Sequence, residues 1–100
     1  TFPKETFDVI FDKGTLESIA VGNSYRNVHR MLMGVSNSLK WGGLFLSISF
    51  ALPDQRTALL SGPLPQLRGI YNWSVYPQEL VGSNGIQFTV YVCRKKATPE

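Results

Sequence analysis

Apolar residues fall into separate stretches along the chain, and their spacing changes from one stretch to the next. Phe7, Val9, Ile10 and Phe11 place apolar side chains on both faces of a short run. This pattern predicts a β-strand over Phe7 to Phe11 covered on both sides, interior to a parallel sheet. Gly14 then allows a sharp backbone turn where a Cβ would be costly. Thr15 is the expected N-cap of a short helix with Leu16, Ile19 and Ala20 on its apolar side, closed by Gly22. Val28, Met31, Leu32, Val35 and Leu39 recur at spacings of three and four, the mark of an amphipathic helix, with Asn23 or Ser24 as its cap. Gly34 costs a helix up to about 1 kcal/mol relative to Ala, so the expectation is close packing against the sheet there.

The turn Lys40-Trp41-Gly42-Gly43 is expected to end this helix, and Leu44 to Phe50 reads directly afterwards as a second buried strand. Helix, glycine turn and buried strand in succession make a unit of a parallel α/β sheet. Beyond Pro53, residues Asp54 to Leu60 read as a short helical turn, followed by a loop containing Gly62, Pro63 and Pro65. Ile70 to Tyr76 and Ile86 to Arg94 are β-rich and alternate. The Gly82-Ser83-Asn84-Gly85 link between them is a hairpin signal. The fold class expected is therefore α/β, with parallel strands and helices followed by a terminal antiparallel hairpin. No repeat or low-complexity stretch interrupts it.

One hundred residues suffice for one small domain and not for two. The single cysteine, Cys93, cannot form a disulfide within the chain and reads as a small buried hydrophobe, which fits a reducing compartment. The net charge of +3 is concentrated in Arg94-Lys95-Lys96, read as a solubilising tail. No basic stripe with interleaved aromatics appears, so nucleic acid is not an expected partner. The longest apolar run, Leu44 to Leu52, is broken by Ser47 and Ser49 and is far shorter than the roughly 20 residues of a membrane helix. One His and one Cys make no metal site. The chain opens Thr1-Phe2-Pro3-Lys4-Glu5, without an initiating Met or a basic-then-apolar leader. The expectation drawn from this opening is a piece of a longer protein.

The chemistry concentrates in Phe7-Asp8-Val9-Ile10-Phe11-Asp12-Lys13-Gly14-Thr15-Leu16-Glu17, which sets a charged pair at the carboxyl end of a strand. In open α/β sheets that edge is where ligands bind. The run resembles the segment after the fourth strand of class I S-adenosylmethionine (SAM) dependent methyltransferases, in the group that includes the elongation factor 1-alpha and citrate synthase lysine methyltransferases. Met31 to Phe45 is similar to that family's helix, Gly-Gly turn and fifth strand. Ser49-Phe50-Ala51-x-Pro53-x-x-Arg56 resembles its segment leaving that strand. Tyr71-x-Trp73-Ser74-Val75 and Phe88-x-x-Tyr91-Val92 resemble its closing hairpin, with Asn72 in place of the usual glycine. Gly-Gly turns are common to all class I methyltransferases. Asp-Lys-Gly-Thr together with the Trp-containing hairpin is more specific.

The resemblance implies SAM as cofactor, contacted by Lys13, with Asp12 shaping the methyl-transfer edge and Ser49, Phe50 and Arg56 on the substrate side. It also implies a protein substrate and a cytoplasmic location, with the mitochondrion as the alternative. The residues alone leave other roles open: Asp12 and Lys13 as a solvated strand-end pair or a helix cap, Phe50 as core, Arg56 as surface charge. His29 reads as a surface histidine rather than a base, and Tyr71 and Trp73 as hairpin packing. The chain lacks the glycine-rich turn after a first strand and the acidic residue after a second that such a cofactor site needs. It therefore reads as a single partial domain, the carboxyl-terminal half of the fold, inactive alone. Its unpaired strand is expected to meet the missing half or to self-associate. The alternatives from other classes are a non-catalytic interaction module or split isoform docking through an exposed sheet edge, and an unrelated nucleotide-binding domain.

Overall fold

The computed structural model describes residues 4–21, 25–49 and 53–98. In chain order these form β1 (Phe7–Lys13), α1 (Thr15–Val21), α2 (Tyr25–Ser38), β2 (Leu39–Ser49), α3 (Pro53–Ser61), a 3-10 turn at Pro65–Leu67, β3 (Trp73–Val81) and β4 (Gln87–Lys95). The sheet order is β1-β2-β4-β3. β1 and β2 are parallel, while β4 runs antiparallel to both of its neighbours. This is the expected parallel unit followed by an antiparallel hairpin. The hairpin closes at the expected residues, with Gly82 N donating to Ile86 O at 2.8 Å and Gly85 N to Gly82 O at 2.9 Å.

All three helices pack on one face of the sheet. The core joins Leu16 of α1, Val28 and Leu32 of α2 and Leu60 of α3 to Leu39, Phe45, Tyr71, Trp73, Tyr91 and Cys93. Phe45 stacks on Trp73, and Trp73 Nε1 donates to Leu60 O at 2.8 Å, so the hairpin tryptophan is a packing residue. Burial pushes the Cys93 thiol up to about 12, which keeps it protonated and inert. Of the expected stripe on α2, Val28 and Leu32 are buried while Met31 and Val35 are half-buried, and Leu39 keeps its place in the core as the first residue of β2.

The opposite face of the sheet has no helix among the described residues. Side chains alternate along a strand, so the register puts Val9 and Phe11 of β1 on this face with Leu44, Leu46 and Ile48 of β2 and Val92 and Val90 of β4. Tyr76 and Leu80 of β3 continue it. Val9 is 52% and Phe11 57% exposed, although both belong to a strand whose composition suits an interior. β1 is accordingly an edge strand and pairs with β2 alone among the described residues, in keeping with the unpaired strand expected of a partial sheet.

Other expectations change in detail. β2 starts at once after α2, and the glycines sit inside an irregular strand start, where Phe7 pairs with Leu39 and Val9 with Leu44. A Cβ on Gly43 would lie 2.9 Å from both Asp8 O and Lys40 O, so the two chains approach there as only glycine permits. Gly34, by contrast, has nothing within 4 Å of a Cβ position, and the close packing expected there is absent. Arg94-Lys95-Lys96 is not a uniform tail. Lys95 is 4% exposed, and its Nζ donates to Ser36 O (2.6 Å) and Leu39 O (2.8 Å) above the Trp41 ring, satisfying carbonyls at the end of α2. Burial lowers its pKa. Gly22, Asn23, Ser24 and Phe50, each given a role above, lie outside the described residues.

Asn72 explains a departure noted in the sequence. Its φ is 61°, in the left-handed region where glycine is cheap and Asn is tolerated best among other residues. Asn72→Ala is expected to lower stability by about 1 kcal/mol while Asn72→Gly is near neutral, read as urea midpoints. Equal midpoints for the two variants would remove the conformational explanation.

Candidate active-site edge

The parallel strands end together at Lys13 and Ser49, and Asp12, Lys13, Ser49 and Arg56 lie around this carboxyl edge. Asp12 is 6% exposed and its oxygens are in use: Oδ1 accepts from Thr15 N (3.1 Å), and Oδ2 accepts from Leu16 N (3.3 Å) and from Ser47 Oγ (3.1 Å). The carboxylate, not the Thr15 hydroxyl, thus caps α1 and ties it to β2. Asp12 is a building element of the edge rather than a group aimed into the crevice.

Lys13 is placed differently. It follows Val9 and Phe11 on the open face, is exposed, and forms no ion pair with another described residue. Next to it Gly14 adopts φ 99° with open space where a Cβ would project. An ammonium beside an accessible stretch of backbone suits an anionic group.

A second constellation lies on the helix-covered side. Ser49 Oγ donates to Glu17 Oε1, and Arg56 Nη2 lies 3.1 Å from Glu17 Oε2. The residues come from β2, α1 and α3, so tertiary folding alone brings them together. Arg56 is 5% exposed, against the expectation of a surface charge, and its Nε and Nη1 have no hydrogen-bond partner among the described residues. The Glu17 side chain keeps 30% exposure. Tyr91 lies within electrostatic reach of both Arg56 and Glu17, and burial pushes its hydroxyl pKa up. Ser49 and Arg56 were legible as candidates, whereas Glu17 was not, because an acid in a helix's first turn reads as a response to the helix dipole.

The remaining polar residues stay apart from this edge. His29 is half-buried, with Nδ1 2.9 Å from the Tyr71 hydroxyl, a packing pair rather than a surface residue. The described residues contain no group of acidic, His and Cys side chains fit to hold a metal, and no helix long and apolar enough to cross a membrane.

No protein-family model matches the chain. In sequence it is similar to EEF1A lysine methyltransferase 4 of Bos taurus, 32% identical over 94% of this chain and 37% of the relative. Two solved structures share the fold. One is a SAM-dependent methyltransferase from Methanosarcina mazei, with TM-score 0.62 and 14% identity, over 98% of this chain and 63% of that one. The other is a methyltransferase from Pyrococcus furiosus, with TM-score 0.61 and 20% identity, over 93% of this chain and 43% of that one. The chain thus spans little more than a third of its Bos taurus relative. The likeness to a lysine methyltransferase in sequence and the α/β fold class shared with methyltransferase structures are borne out.

Proposed function

We propose that this chain is the carboxyl-terminal part of a SAM-dependent methyltransferase domain that transfers a methyl group to a lysine of a protein. The observation that carries the reading is the open apolar face beside the unpaired edge of β1. Around that edge, Phe7, Val9, Ile10, Met31, Gly34 and Val35 also line an apolar groove of about 600 Å³ on α2. Exposed apolar surface of this extent on a short chain marks an interface, and an unpaired parallel strand is a template for another. The fitting occupant is the upstream part of the same domain, because the relatives are much longer than the stretch they share with this chain. A strand laid beside β1 would bring its own carboxyl end next to Lys13 and Gly14.

Lys13 and the Gly14 backbone would then hold the carboxylate end of SAM, while the upstream part would supply the glycine-rich turn. The cofactor brings a methyl group on a sulfonium, already activated for attack. What remains for the protein is to align the acceptor, desolvate it and exclude water. No triad or metal is needed, and the residues at this edge suit such a role. A cytoplasmic site of action is the companion proposal, with the mitochondrion as alternative.

The test is calorimetric titration of SAM into the 100 residues alone and into the polypeptide extended upstream. Binding is expected only in the extended protein, with Lys13→Ala weakening it about tenfold. Methyl transfer from labelled SAM to EEF1A, the protein in the relative's name, would identify the acceptor. Absence of SAM binding by the extended protein would leave a non-catalytic module docking through β1 as the reading.

A further inference from the structure

We propose that Glu17 is the residue that receives the acceptor amine, held for that task by Ser49 and Arg56. The inference rests on the methyltransferase reading and adds a substrate-binding residue to it. A carboxylate at the carboxyl edge has to satisfy three conditions to bind an amine there: free acceptor positions, access from outside, and a fixed orientation. Asp12 fails the second, being buried, and has little of the first, since its oxygens already take two backbone amides and the Ser47 hydroxyl. Glu17 meets all three. Among the described residues its two oxygens are met by Ser49 and by Arg56, out of roughly four lone-pair positions. The side chain remains 30% exposed, and its partners stand on two other elements, so its position is set from both sides.

Arg56 is the telling partner. A guanidinium buried to 95% whose Nε and Nη1 have no partner among the described residues is an expensive way to link two helices. Apolar contact between α1 and α3 would serve a purely structural purpose at lower cost. What the arginine adds is a charged partner 3.1 Å from Oε2 that fixes Glu17 where it emerges at the sheet edge. An ammonium or amine N–H from a lysine side chain is the complementary donor. The Glu17–Arg56 pair is neutral overall, so it orients an amine more than it attracts one from a distance.

The experiment uses the upstream-extended protein and three ligands: S-adenosylhomocysteine, an analogue in which an aminoalkyl chain replaces the transferable methyl, and its hydroxyalkyl counterpart. Wild type is expected to prefer the amine over the hydroxyl compound by about tenfold, the worth of one charge-assisted hydrogen bond. Glu17→Gln is expected to abolish that preference while S-adenosylhomocysteine binds as before. Ser49→Ala and Arg56→Lys, which keep the Glu17 charge but loosen its hold, should reduce the preference to an intermediate value. They decide the matter if Glu17→Gln fails to fold. An amine preference absent from wild type, or unchanged across these variants, overturns the assignment while leaving the methyltransferase reading intact. Failure of wild type to bind S-adenosylhomocysteine overturns that reading and this one with it.

Discussion

Phe11→Lys is expected to act in opposite directions on the chain alone and on the polypeptide that carries its upstream part. Phe11 is 57% exposed on the open face, opposite Leu46 in the register. In the isolated chain a charge there interrupts an apolar edge, which is how natural sheets discourage edge-to-edge pairing. The variant should sediment as a monomer where the parent forms edge-paired dimers or precipitates. On the proposed reading the upstream part covers this face in the extended protein and buries the same position. Replacing the phenyl group then forfeits about 1.5–3 kcal/mol of burial, and the ammonium must be dehydrated or forced to the surface. A loss of about 3 kcal/mol or more is expected in urea unfolding, a substantial fraction of a domain's stability margin of about 5–15 kcal/mol. A parent chain that is monomeric and soluble alone, or a variant equally harmless in both settings, would count against an occupant on this face.

Asp12→Ala is expected to cost about 2–3 kcal/mol, the sum of a lost helix cap and of buried donors left without an acceptor. Thr15 N, Leu16 N and Ser47 Oγ all lose their partner at once. Asp12→Asn keeps an acceptor oxygen for one of the amides and should lose only about 1 kcal/mol. In the extended protein both variants should bind SAM normally at temperatures where they are folded. Denaturant midpoints and calorimetry on the same samples separate the two roles. Undiminished stability in Asp12→Ala with SAM binding lost would return Asp12 to the cofactor site.

Much of the architecture was readable along the chain because it is written in local terms. The three-and-four spacing of Val28, Met31, Leu32 and Val35 defines α2 whatever lies beside it. The Gly82 to Gly85 link defines a hairpin by its backbone freedom alone. The Asp-Lys-Gly-Thr run and the Trp73 hairpin carry a likeness to methyltransferases in their residues alone. The errors arose where a residue's fate depends on a distant partner. Lys95 reads as tail by composition, yet it is buried because the carbonyls of Ser36 and Leu39 meet it across the fold. Gly34 reads as a close contact, yet its surroundings are open.

The sequence by itself determined the order and kind of the elements and the fold class. These follow from periodicity, turn chemistry and backbone freedom, which act over a few residues. Only the tertiary structure decided that Asp12 is consumed as a cap, that Arg56 is buried, and that Glu17 stands between Ser49 and Arg56. It alone decided that one face of the sheet is covered and the other left apolar and open. Burial and pairing depend on what folding brings alongside from far along the chain, and no local pattern encodes that.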